Sequence, residues 1–240
     1  MGINRNESSG NGVFLGIADG KITRRIEESE LPAQYDTRQF RVRTGTKPDG
    51  DPYKTCEEIF DSVSGNLEDL SLVQTPFGTT QIRVKLMDGV DSFVVNIPFD
   101  NGSRLNQYGV DFIGRMLSGN PEDFLGEEVT LFPYKIERED AAGKFNTGIS
   151  VRLDGGKLKS AFAKDGRLSE NLPEPVKKEA RGKITWDYSG REEKIYSFAE
   201  RFINSFGQLS ASKTLGQAEE DAGLTEEPVT DNVVADDLPF

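Results

Sequence analysis

Residues 81–98, QIRVKLMDGVDSFVVNIP, read as two strands and the turn between them. Ile82, Val84 and Leu86 fall on one face of the first segment and Arg83 and Lys85 on the other, while Phe93, Val95 and Ile97 share a face of the second. Strand side chains point alternately to opposite sides, so a period of two with one apolar set marks a strand half-buried in an antiparallel sheet. The Asp-Gly between the segments supplies the turn, because glycine enters left-handed backbone without strain. The same alternation continues in both directions along the chain. QFRVRTG (39–45) sets Phe40 and Val42 against Arg41 and Arg43, EVTLFPY (128–134) pairs Val129 with Leu131, and GISVRLD (148–154) sets Ile149, Val151 and Leu153 against Arg152. VFLGI (13–17) and KITRRIE (21–27) fit the scheme, and GNLEDLSLVQ (65–74) slips register after Leu67, which predicts a β-bulge. TKPDGDP, TPFG, DAAGK and DGGK punctuate the strands as turns.

Two segments follow a helical period instead. RLNQYGVDFIGRMLSG (104–119) places Leu105, Tyr108, Phe112, Ile113, Met116 and Leu117 at helical spacings, against the cost of two internal glycines. SGREEKIYSFAERFINSFG (189–207) puts Ile195, Phe198, Ala199, Phe202, Ile203 and Phe206 on one stripe, with Ser189 and Glu192 as a capping box and Gly207 as the stop. From Gln208 on no period survives. The pattern predicts a mainly β chain: an OB-like five-stranded antiparallel barrel with one inserted helix and one C-terminal amphipathic helix, a Greek-key sandwich being the alternative. The expected units are a disordered arm (1–12), the OB-like domain (13–162), an extension whose helix packs on the body (163–207) and a disordered acidic tail (208–240).

The formal charge of −12 is concentrated. Of 41 acids, eight lie from Gln217 onward, where there is no Lys or Arg, so residues 1–216 hold 33 acids against 29 bases. The body is nearly balanced, and a nucleic-acid partner is not excluded by the total. With no histidine and a single cysteine, Cys56, the chain lacks the His-based nucleophile relays, the common general base near neutral pH and the usual zinc sites. Gly-Lys occurs four times but never before Ser or Thr, so no phosphate-cradling P-loop is present. No cofactor or metal is called for. One cysteine fits a reducing compartment, MGINRNESSG (1–10) has no apolar signal core, and no stretch is apolar enough to span a membrane; a soluble cytoplasmic protein is expected.

The outward strand faces are basic. Arg41, Arg43, Arg83, Lys85 and Arg152 alternate outward, with Lys21, Arg24, Arg25 and Lys47 nearby in sequence. If the strands are neighbours, these cations form a grid that tracks a phosphate backbone; the competing reading is an ordinary solvated face. Single-stranded nucleic acid needs exposed rings as well, because bases stack on aromatic faces. Phe77, at the tip of TPFG (75–78), and Trp186 are the rings chosen here. Scattered acids such as Asp61, Glu68, Asp69 and Asp88 admit a Mg²⁺-dependent nuclease as a minor alternative.

The chain ends in Asp236, Asp237, Leu238, Pro239 and Phe240. An aromatic at the free end of a polar tether suits a pocket that takes the ring and clamps the terminal carboxylate. This ending, after an acidic linker and a β-rich body, resembles the single-stranded DNA-binding proteins of bacteria and their phages. The resemblance is sharp over those five residues and architectural elsewhere; the size, the extra helix and the divergent body point to a phage-encoded form. It implies an OB-fold that coats and protects single-stranded DNA with little sequence preference during replication, recombination and repair, and a tip that recruits partner enzymes without catalysis by the chain itself. The partners admitted are single-stranded DNA, replication and recombination proteins at the tip, and a second copy of the chain, with no membrane. The alternative is a regulator that seizes a replication or transcription protein through the same tip without touching DNA.

Overall fold

The computed structural model describes residues 12–46, 50–163, 172–180 and 183–221, without the side chains of 180 and 214–221. The chain forms β1 (Val13–Ala18), β2 (Lys21–Ile26), β3 (Phe40–Thr46), β4 (Pro52–Phe60), which no alternation marks in the sequence, β5 (Val63–Gln74), β6 (Thr80–Asp88) and β7 (Asp91–Asp100). Helix α1 (Gln107–Met116) follows, then β8 (Glu128–Glu137), β9 (Phe145–Leu153) and the short β10 (Gly156–Lys157). These ten strands form one sheet in the order β10-β9-β8-β5-β6-β7-β1-β2-β4-β3, antiparallel except where β1 runs parallel to β7. A separate two-stranded ribbon pairs β11 (Val176–Ala180) with β12 (Lys183–Asp187), and α2 (Ser189–Asp221) completes the order.

The chain is mainly β, as the alternation predicts, but the sheet has ten strands and its end strands do not pair, where the sequence reading expects five strands in a closed barrel. Alternation reports which residues are strands; it says nothing about which strand lies beside which. The sheet nonetheless curls. The β1–β2 turn reaches β8, where Lys135 Nζ lies 3.1 Å from Asp19 Oδ1, and the Gly20 N–H donates to the Tyr108 hydroxyl at 2.9 Å. Gly20 has φ +76°, and a Cβ there would stand 2.5 Å from the Lys135 backbone nitrogen, so only glycine fits this crossing.

β5 serves two neighbours. Its residues Val63–Asn66 pair with β8, Asn66–Gln74 pair with β6, and the predicted bulge falls between Leu67 and Asp69. The extra residue lets Leu67 and Leu70, three apart rather than two, both enter the core. That core also takes Leu15, Ile82, Val84, Val95 and Val151 from the sheet, and is closed by Phe112 and Ile113 of α1 and by Phe202 and Phe206 of α2.

The two glycines that weaken α1 as a helix are contact points. A Cβ at Gly109 would lie 2.6 Å from the Phe99 ring and 2.8 Å from the Pro98 carbonyl, and one at Gly114 would meet Ser160 and Phe162. Gly109→Ala should therefore destabilise the protein: overpacking costs about 1–3 kcal/mol, more than the ~1 kcal/mol of helix propensity it recovers. A urea midpoint equal to or above the parent's would refute that close approach.

Helix α2 does not stop at Gly207 but runs to Asp221, so residues 208–221 are helical where the sequence reading expects disorder. Glycine ends a helix by turning left-handed, and Gly207 is not among the residues with positive φ. The helix formers Gln208, Leu209 and Ala211 carry it on, and the Ser210 hydroxyl fastens it to the bulge by donating to the Glu68 carbonyl at 2.8 Å. Among the described residues no helix is long and apolar enough to cross a membrane. Residues 1–11 of the arm expected over 1–12 and the tip Asp236–Phe240 lie outside the described residues.

Candidate nucleic-acid interface

Strand register brings eight residues of the sheet's middle into two cross-strand rows. Ser71, Arg83, Asn96 and Gly16 stand opposite one another on β5, β6, β7 and β1; Asp69, Lys85, Val94 and Phe14 form the next row. At ~4.8 Å between strands, each row is about 14 Å long. The residues that alternate with them, Leu70, Val84, Val95 and Leu15, are buried, so the eight face away from the core.

Arg83 and Lys85 thus project from one strand into a face that also carries Phe14, a ring 60% exposed. The sequence reading passed over Phe14, although its signal was present: Val13, Leu15 and Ile17 alternate inward and force the residue between them out. Gly16 keeps the floor beside the ring low, since a Cβ there would meet only the Thr23 hydroxyl, at 3.6 Å. Arg83 Nε donates to Asn96 Oδ1 at 3.4 Å, and no carboxylate lies within ion-pair distance of Arg83 or Lys85 among the described residues. A planar base on Phe14 with phosphates on the two cations is the chemistry such a face supports.

The remaining predicted residues are placed differently. Arg41 lies 2.6 Å from Glu57 and 2.9 Å from Asp19, and Arg43 reaches the same two carboxylates at 3.1 Å. Arg24 pairs with Glu58 at 2.8 Å and Lys21 with Asp61 at 2.5 Å. These four cations belong to a cross-strand charge lattice rather than an open grid, because Glu57 and Glu58 of β4 stand opposite Arg25 and Arg24 of β2 in register, and opposite Arg41 and Phe40 of β3. Arg25 is exposed on β2, and Arg152 lies 4.8 Å from the centre of the Phe132 ring on the neighbouring strand. Phe77 is 91% exposed at its turn. Trp186 is 53% exposed, but on β12, opposite Lys177 in the separate ribbon. Lys47 lies outside the described residues. Of the acids proposed for a metal, Asp61 is held by Lys21 and Glu68 sits at the β5 bulge; among the described residues no three such side chains gather as a metal-binding group.

Asp19 is the junction of the charge lattice. It occupies the β1–β2 turn with φ 55° and receives Lys135 of β8 together with Arg41 and Arg43 of β3. The Lys135 hydrogen bond holds its carboxyl below the usual carboxylate range, and the charges of Lys135, Arg43 and Arg41 add to that. A depressed folded value contributes stability that is present above the unfolded carboxylate's ~3.9 and is lost as pH falls through the folded value. Acid should therefore loosen the β3–β4 hairpin first. Each pair is solvent-screened and contributes below ~1 kcal/mol. The protection factors of β3 amides, taken relative to the intrinsic exchange rate at each pH, should fall more steeply from pH 5 to pH 2.5 in the parent than in Asp19→Asn; parallel profiles would remove Asp19 as the junction.

Compared with protein-family models, curated proteins and solved structures, the chain finds no match.

Proposed function

We propose that the protein binds single-stranded DNA across the outward face of β5, β6, β7 and β1, with little dependence on sequence, and recruits replication or recombination enzymes through Asp236–Phe240. The observation that carries this reading is the placing of Arg83 and Lys85, without carboxylate partners among the described residues, in rows that hold the exposed ring of Phe14. Cations neutralise phosphates and release counterions, and the ring offers a stacking platform that every base can use. Charge on the body suits this division of labour: the tail carries eight acids without a base, leaving the body nearly balanced.

The OB-type reading of the fold belongs to the same proposal. It is supported by a long strand, β5, that bends at a bulge to pair with β8 at one end and β6 at the other, and by a helix inserted between β7 and β8. The β1–β2 turn touching β8 brings the curl close to a barrel. In OB-folds the face of the second and third strands binds oligonucleotides, and β6 and β7 follow β5 in that order.

The test is fluorescence anisotropy of labelled oligo(dT) titrated with the full chain between 50 and 200 mM salt. Binding that weakens linearly in log affinity against log salt is the expected result. Absence of binding at 50 mM salt would leave the DNA-independent regulator, and shortening of the strand with Mg²⁺, stopped by chelator, would leave the nuclease.

A further inference from the structure

Away from those rows, Asp111 of α1 and Tyr134 of β8 meet above Gly148 of β9. A Cβ at Gly148 would lie 2.1 Å from Asp111 Oδ2 and 2.4 Å from the Tyr134 hydroxyl, so glycine is what lets the two approach. The Tyr134 hydroxyl donates to Asp111 Oδ2 at 2.9 Å, and Gln107 Nε2 donates to Oδ1 at 2.5 Å. Burial and the adjacent Asp111 charge push the Tyr134 phenol up to about 12, which keeps it a donor at neutral pH. Both oxygens of a half-buried carboxylate are thereby oriented, and each retains a lone pair.

The carboxylate opens onto a concavity of about 530 Å³, walled also by Ile136, Phe145 and Asn146. Phe145 is 46% and Ile136 60% exposed, and the Lys135 ammonium stands 4.5 Å from the centre of the Phe145 ring. The site therefore gathers an exposed aromatic, an amide and a fixed, acceptor-only carboxylate, while the Lys135 beside the ring is held by Asp19. A phosphate would be repelled by Asp111, but a base edge that donates would be drawn to it.

We infer that this concavity is a nucleobase subsite that prefers a base bearing an exocyclic amino group over thymine. The inference rests on the proposed strand binding and adds a base preference to it. The base stacks on Phe145 and its amino group donates to Asp111. Asn146 turns its amide to suit the neighbouring ring nitrogen. Thymine presents a carbonyl oxygen where cytosine presents its amino group, which sets two acceptors against each other and leaves the carboxylate unsatisfied.

The experiment measures anisotropy of labelled dC, dT and N4,N4-dimethyl-dC 12-mers with the full chain. The parent should bind dC at least about fivefold more tightly than dT, the low end of what one good edge contact discriminates. The dimethylated strand, which cannot donate, should bind like dT whatever the folding of any variant. Asp111→Asn should bring the dC to dT ratio near one. Equal affinity of the parent for dC and dT, or a preference that survives dimethylation, would overturn the subsite while leaving strand binding intact. Failure of all three strands to bind would overturn the strand-binding reading itself.

Discussion

Reversing Arg83 and Lys85 to glutamate is expected to lower affinity for oligo(dT) by about a hundredfold or more at low salt. Two phosphate contacts are lost, and the replacing carboxylates repel the strand. Each single-strand phosphate contact contributes about 0.7 to the slope of log affinity against log salt, so the slope should flatten by about 1.4. Phe14→Ala should behave differently. Losing a stacking platform costs about 1–3 kcal/mol and releases no counterions, so affinity falls while the salt slope stays as it was. Neither substitution touches the core: Arg83 and Lys85 face away from it and Phe14 is 60% exposed. Unchanged thermal unfolding with reduced binding is the joint signature, and undiminished binding by the Arg83→Glu, Lys85→Glu protein would abolish the proposed face. Arg41 and Arg43 serve as the contrast. Their ion pairs with Asp19 and Glu57 make their reversal a disturbance of the β3–β4 hairpin, visible in unfolding before it is visible in DNA binding.

Deleting Phe240 alone should separate the two halves of the proposed function. The deletion removes one ring and moves the terminal carboxylate to Pro239, leaving all eight acidic side chains of the tail in place. Strand binding should stay within about twofold of the parent, because the polyanion able to compete for the cations is nearly intact. Partner capture should fall about thirtyfold or more, as a buried aromatic anchor carries ~2 kcal/mol or more of a small interface. Recovery from bacterial extract should be compared quantitatively for the full-length and deleted proteins at equal loading. Equal recovery of every captured protein would reduce the ending to a solubilising charge.

Local chemistry alone determined eight of the strands, the inward sets that fill the core, the bulge after Leu67 and the amphipathic start of α2, because each depends on residues within a few positions of one another; β4, with no clean period of two, and β10, β11 and β12 were not legible there. The outward direction of Arg83 and Lys85 was legible for the same reason. What tertiary structure decided was company. Whether an outward cation is open to a phosphate depends on which strand lies beside it: β7 gives Arg83 an asparagine, Asn96, while β4 and the β1–β2 turn give Arg41 two carboxylates, Glu57 and Asp19, 16 and 22 residues away. Phe14 became a candidate only when β1 was seen parallel to β7, in line with Lys85. Gly148 carried no local signal, since its role is to admit Asp111 from a helix 37 residues earlier in the chain. α2 runs past Gly207, and just beyond that glycine Ser210 is held at the β5 bulge by donating to the Glu68 carbonyl across 142 residues. A period of two fixes the face on which a side chain stands, whereas strand order and sheet curl are set by pairings distant in sequence, and those pairings choose its neighbours.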